Sequence, residues 1–192
     1  METTRIFIAI KINNTDQIRT IFRQVQVDLK DEWIKWVDFK GLHITLGFIG
    51  ATDVRKIELI KNRLRICAAK FPPFRIQLSS LGAFPSINRA RVLWLGVNTD
   101  DLMYQLREEI LKHLQNIVEF PDTRFSPHLT IGRIKYGVKN PDKVKCILES
   151  HESWRDDELL ISNFVLMESK LTQQGPVYEV MDHFDLSGST PH

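Results

Sequence analysis

The chain has 192 residues, 43% of them hydrophobic and 26% charged, with a formal net charge of +2. That length supports a substantial core in one domain or two small lobes, and so small a charge makes no bulk electrostatic case for nucleic acid, leaving only locally basic sites. Two isolated cysteines, Cys67 and Cys146, argue against a disulfide framework or a thiolate zinc site.

Both cysteines read as buried free thiols in a reducing compartment. The apolar start "METTRIFIAIKI" lacks the basic opening and small-residue cleavage site of a signal peptide, and no apolar stretch approaches membrane-spanning length. These features place the protein in the cytoplasm.

"RIFIAIKI" (5–12) is β-rich and reads as a strand. A helix follows, capped by Asn14 or Thr15, with Ile18, Ile21, Phe22, Val25 and Leu29 at helical spacing. "EWIKWVDFKG" mixes Trp33 and Trp36 with Lys35 and Lys40; it suits either an ordinary connection packed over a lobe or a surface that meets RNA. "GLHITLGFIG" is a glycine-bounded strand, and 51–70 a helix with Val54, Ile57, Ile60, Leu64 and Cys67 on one face. "PPFRIQLSSLGAF" and "ARVLWLGV" are strands joined by the turn-like "PSINR".

The pattern then restarts. "TDDLMYQLREEILKHLQNI" is a helix capped at Thr99 or Asp100, "FSPHLTIGRIKY" a strand and "NPDKVKCILES" a short helix with Pro141 near its start. "ELLISNFVLMESKL" and "PVYEVMDHFDL" close the chain as two strands in a hairpin across "TQQG", and 187–192 forms a loose polar tail. The second block echoes the first, which predicts two α+β lobes of similar build facing each other in one compact unit over 1–192.

The echo is sharpest in one phrase. His-x-Thr-aliphatic-Gly occurs at 43–47 and again at 128–132, 85 residues apart. Side chains alternate along a strand, so His43 and Thr45 share a face opposite Leu42, Ile44 and Leu46, and His128 and Thr130 share a face opposite Leu129 and Ile131. A pseudo-twofold between lobes would gather two imidazoles and two hydroxyls in one cleft. Two histidines that titrate near neutrality can divide acid and base work, one taking a proton from water and the other giving one to a leaving oxygen. Threonine hydroxyls can hold phosphate oxygens between them. Developing negative charge needs a cation, and Arg133 is the nearest candidate. Its strand parity is opposite to that of His128, so it reaches the cleft only if the strand twists, bulges or ends near Gly132. Neither motif is flanked by the carboxylates a metal site would use, so no metal or other cofactor is expected. No nucleophile-elbow sequence accompanies Ser126.

These motifs resemble those of the two-histidine phosphoesterase superfamily, and most closely the RNA 2',3'-cyclic phosphodiesterases, also called 2'-5' RNA ligases. The likeness covers nearly the whole chain, through "RIFIAI", "HITLGFIG", "LSSLGAFPSINRARVLWLGV", "FSPHLTIGR" and "LMESKLTQQGPVYEVMDHFDL". It implies an α+β fold with two antiparallel sheets flanking a central cleft and helices outside. It also implies metal-independent hydrolysis of RNA 2',3'-cyclic phosphate ends to 2'-phosphate ends; some members also join RNA ends through a 2'-5' bond. Carried over, His43 is the proton donor, His128 the proton acceptor, and Thr45, Thr130 and Arg133 bind the phosphate. Phe48, placed after the first motif as Arg133 is after the second, suits base stacking or core packing. Phe84 and Trp94 share that ambiguity. The expected partners are RNA with 2',3'-cyclic phosphate ends or small cyclic nucleotides, with no membrane and no obligate protein partner, and the chain is expected to act as a monomer. Rival readings of the cleft are a nucleotide- or RNA-end-binding module without turnover, and a phosphodiesterase for another 2'-linked or cyclic phosphate.

Overall fold

Runs of β-branched residues and amphipathic helical stretches alternate along the chain, and both find their faces in the computed structural model, which describes residues 2–13, 15–121, 124–173 and 175–189. The strands are β1 (Thr3–Lys11), β2 (Ile34–Trp36), β3 (His43–Asp53), β4 (Phe74–Phe84), β5 (Val92–Thr99), β6 (His128–Ile134), β7 (Arg155–Ile161), β8 (Asn163–Thr172) and β9 (Gly175–Asp185). The helices are α1 (Asp16–Asp28), α2 (Ile57–Ala68), α3 (Asp101–Leu114) and α4 (Pro141–Ser150). No helix among the described residues is long and apolar enough to cross a membrane.

Helix starts follow local chemistry. The side-chain oxygens of Thr15, Asp100 and Asn140 each accept a backbone N–H at the opening of α1, α3 and α4, satisfying donors that the helix itself leaves open. Asn14, the other cap considered for α1, lies outside the described residues. The helix expected from residue 51 begins at Ile57, because β3 runs on to Asp53 and a short 3-10 turn (Val54–Lys56) intervenes.

Every paired strand is antiparallel, in the order β7-β4-β5-β6-β3-β1-β8-β9, with β2 also on β6. The order consists of two matching halves, β3-β1-β8-β9 and β6-β5-β4-β7. They meet at one residue pair, Ile44↔Leu129, so the two expected sheets are joined edge to edge across the cleft line. The halves are not consecutive blocks of chain. β4 to β7 form one, while β8 and β9 return to β1. Two helices cross over as well: α1, after β1, packs against β7 and α3, after β5, packs on β3, whereas α4 stays with β4 and α2 with β8 and β9. The helices cover one face, above a contiguous core that includes Ile8, Ile44, Leu95, Leu129 and Ile131.

Four sequence expectations change. The stretch 158–171 is not one strand: β7 pairs with β4 and β8 with β1, at opposite ends of the order, and the chain changes sides at Ser162, whose carbonyl accepts the Leu186 N–H at 2.8 Å. Residues 34–36 form a strand that three residues were too few to announce by alternation. Cys67 is buried, but Cys146 is exposed on α4. The tail from 187 starts anchored, Gly188 N–H donating to the Phe71 carbonyl at 2.9 Å; residues 190–192 lie outside the described set.

β3 and β6 share one irregularity. Ala9 pairs with Thr45 and Ile8 with Gly47, so Leu46 is an extra residue in β3. Trp94 pairs with Thr130 and Leu93 with Gly132, so Ile131 is an extra residue in β6. Each bulge inserts one unpaired residue and resets the alternation beyond it. The β3 bulge is held from behind by Arg107 of α3. Its side chain is 5% exposed, its Nε donates to the Leu46 carbonyl at 3.2 Å, and its guanidinium lies 4.9 Å from the Phe125 ring centroid. Arg107→Met should lower unfolding stability by about 2 kcal/mol, as expected for losing a charged hydrogen bond to a buried carbonyl. Urea denaturation with an unchanged m-value would show it; stability equal to that of the unaltered chain would mean that the bulge does not depend on this contact.

Candidate functional site

The helix-free side of the β3–β6 junction carries the candidate site. Ile44 and Leu129 are fully buried and face the core, so their neighbours His43, Thr45, His128 and Thr130 face away from it. Antiparallel pairing at Ile44↔Leu129 sets His43 across from Thr130 and Thr45 across from His128. The imidazoles then stand on a diagonal, for which a regular ladder gives roughly 7–8 Å between Cα atoms. The structure thus brings the four motif side chains together.

The bulges set the direction of the next side chains. From His43 to Ile49 and from His128 to Ile134 burial runs identically: half-buried, buried, half-buried, buried, buried, exposed, buried. The two consecutive buried positions are the bulge residue and its glycine. Phe48 and Arg133 therefore return to the histidine face, which removes the parity conflict for Arg133. The glycines are required by close packing. A Cβ on Gly47 would sit 2.8 Å from the Phe120 ring, and one on Gly132 would sit 2.8 Å from the Ile34 side chain and 3.0 Å from that of Trp36.

Each imidazole is fixed the same way. His43 Nδ1 lies 2.6 Å from the Gly41 carbonyl, and His128 Nδ1 2.8 Å from that of Ser126. A carbonyl can only accept, so Nδ1 carries the hydrogen in both rings and Nε2 holds the free lone pair when the ring is neutral. The Gly41 carbonyl is itself set by a 3-10 turn (Phe39–Gly41), where the Asp38 carboxylate accepts the Lys40 N–H at 2.8 Å. Aromatic rings hold the imidazoles from the side. Phe7 and Tyr178 have centroids 5.1 and 5.2 Å from that of His43, and Phe84 is edge-on to His128 at 4.8 Å.

The surroundings disfavour the charged form of both rings. Burial is the main cause and lowers both pKa values below the ordinary 6.5. The backbone carbonyls pull the other way without cancelling it, and the Arg133 guanidinium lowers both further. His128 also lowers His43. One cation thus acts on both rings, and Arg133 has no ion-pair partner among the described residues. Beside it opens a cavity of about 540 Å³ whose walls include Lys35, Trp36, Lys40, Gly41, Arg133 and Tyr178. It is lined by both cationic and apolar side chains, as a small anionic ligand with a flat ring would need.

Phe48 is 39% exposed, and the Arg5 guanidinium carbon lies 5.7 Å from its ring centroid, so it is not a core residue. Phe84 packs on both His128 and Trp94. Tyr178 and Phe7 were not anticipated. Both lie in closing or opening strands where alternation marks a face but says nothing of what crosses to it.

Residues 10–94, which include the first motif, match the model of a family described as LigT-like phosphoesterase. The chain is 33% identical over 177 residues to the RNA 2',3'-cyclic phosphodiesterase of Methanocaldococcus jannaschii, covering 92% of this chain and 98% of that protein. It is 37% identical over 168 residues to the protein of the same name from Aquifex aeolicus, covering 85% and 87%. Its fold is similar to that of the protein TT0787 of Thermus thermophilus, with a TM-score of 0.79 over 97% of this chain and all of that one, at 23% identity.

Titration of the ring protons by NMR should place both His43 and His128 below 6.5. Arg133→Gln should raise both, because removing a nearby cation favours the imidazolium. Unmoved titrations in that variant would show that the guanidinium does not act on the rings.

Proposed function

The chain belongs to the LigT-like phosphoesterase family, with relatives named RNA 2',3'-cyclic phosphodiesterase, and from that premise we propose that it hydrolyses RNA 2',3'-cyclic phosphate ends to 2'-phosphate ends by two-histidine acid-base catalysis. The observation that carries this is the paired presentation of Nε2: two imidazoles, each tied by Nδ1 to a backbone carbonyl two residues earlier, on adjoining strands that share one cation.

The cyclic phosphate sits between the rings with Thr45 and Thr130 donating to its oxygens and Arg133 balancing its charge. His128 Nε2 takes a proton from water as the water oxygen bonds to phosphorus. The P–O3' bond breaks, and protonated His43 gives its Nε2 proton to O3', leaving a 2'-phosphate. The direction of this division follows the family resemblance. The ground state has both rings depressed, so the acid must gain its proton with substrate present. A bound phosphodiester anion beside Arg133 offsets the cation and makes that protonation easier. A 5'-hydroxyl in place of water gives a 2'-5' linkage by the same steps, and the reverse reaction exchanges the two roles. Phe48, on the histidine face, stacks on a base.

Both motifs lie in one chain, so a monomer suffices, and the free thiols fit a reducing cytoplasm. No metal or cofactor enters these steps.

The test is hydrolysis of a short RNA ending in a 2',3'-cyclic phosphate, with EDTA present and the product isomer identified. The expected product is the 2'-phosphate, with the rate lost about a hundredfold or more in His43→Ala and in His128→Ala, as for removal of a proton-transfer group. Full activity in either variant, a 3'-phosphate product or loss of activity on chelation would overturn the reading; binding without turnover would leave a nucleotide-binding module. The pH profile supplies a second check. kcat/KM should fall as pH rises through the acid's pKa, and that limb should lie below 6.5 and move upward in Arg133→Gln, because the acid loses its proton less readily once the cation is gone.

A further inference from the structure

The cavity beside Arg133 shares its Lys35 wall with a second surface hollow, lined by Trp33, Lys35, Lys135 and Tyr136 among others. Trp33 is 54% and Tyr136 75% exposed. Exposed aromatic rings of this size side by side are uncommon on a monomer's surface and mark contact sites. Their centroids are 5.3 Å apart at 87°, and Lys139 Nζ lies 4.0 Å from the Trp33 centroid.

The platform is built rather than loose. Lys35 pairs with Arg133 in the β2–β6 ladder, and Lys135 N–H donates to the Trp33 carbonyl at 3.0 Å. The buried Glu32 carboxylate accepts the backbone N–H groups of Lys139 and Asn140 at 2.8 and 2.9 Å, fixing the loop after β6. Arg133 and Tyr136 are three residues apart, so their Cα atoms lie no more than about 11 Å from each other. Cations and π-faces are interspersed from Arg133 onward: Lys35 beside it in the ladder, then Trp33 with Lys139 over its ring, Lys135 and Tyr136.

We propose that this strip is a track for the single-stranded RNA that leads 5' from the cyclic end, with upstream bases stacking on Tyr136 and Trp33 and their phosphates passing the lysines. The proposal rests on the phosphodiesterase reading for the identity of the end, and goes beyond it by assigning a second site for the body of the strand. Interspersed cations and π-faces suit a strand of unspecified sequence, because every base has a face to stack and every linkage a charge. Adjacency to Arg133 through Lys35 and the sign of the charge favour RNA over an apolar protein partner.

The experiment compares a nucleoside 2',3'-cyclic monophosphate with a single-stranded RNA hexamer ending in a 2',3'-cyclic phosphate, in the unaltered chain and in Trp33→Ala/Tyr136→Ala. The hexamer should have the higher kcat/KM. The double variant should lose about tenfold or more of it, in KM, while turnover of the mononucleotide stays within about twofold. Tyr136→Phe, which keeps the π-face, should retain hexamer activity. A hexamer no better than the mononucleotide, or a double variant that treats the hexamer normally, would overturn the track while leaving the catalytic reading intact. If neither substrate turns over, binding of a 5'-labelled hexamer ending in a 2'-phosphate decides. Binding weakened by the double substitution supports the track; equal binding, or none by the unaltered chain, overturns it.

Discussion

A single antiparallel contact, Ile44 against Leu129, sets the geometry on which the site depends. Both side chains are fully buried among helices on one face, which forces their neighbours onto the other. With only one pair between the halves, β3 and β6 are close enough to share a ligand yet free to splay beyond it. The core beneath is continuous, so the halves are held by packing rather than by a long ladder, and burial of each fully enclosed aliphatic side chain stabilises the fold by about 1.5–3 kcal/mol.

Matching bulges complete the arrangement. A regular strand would send Phe48 and Arg133 into the core, since each lies an odd number of places after its histidine. One extra residue in each strand brings them back, putting Arg133 of one half and Phe48 of the other on the histidine face. The halves are therefore symmetric in backbone and divergent in chemistry. Ala9 and Trp94 occupy corresponding positions across from Thr45 and Thr130, one leaving room and the other filling it. The cation comes from β6 alone yet lowers both imidazoles, whereas His128 lowers His43 only, an asymmetry between the two rings' surroundings. The larger burial of His43 among Phe7 and Tyr178 adds to it.

The helix crossings serve the same end. α1 leaves β1 to cover the opposite half, and α3 leaves β5 to cover β3. Arg107 of α3 thereby reaches the β3 bulge from the core side. A simple tandem of independent lobes would have no such link between the helix layer and the strand that carries His43.

Much of this was legible in the chain. Periodicity located the four helices and most strands, and cap residues such as Asp100 and Asn140 marked helix starts, because those signals are local. The repeated His-x-Thr motif indicated two polar strand faces for the same reason. Three things were not legible. Strand partners depend on contacts far apart in sequence, so the break at Ser162 and the exchange of β8 and β9 between halves were hidden. A bulge is defined by the opposite strand, so the face taken by Arg133 and Phe48 could not be read from their own strand's parity. Tyr178 and Phe7 meet His43 only because β9 and β1 converge on it. The sequence by itself determined which residues are candidates for the site and which side of each element is apolar, since these follow from side-chain type and period. The tertiary structure alone decided which faces meet, which ring nitrogens are free and which cation acts on both, since those follow from distances between segments that the chain's order does not contain.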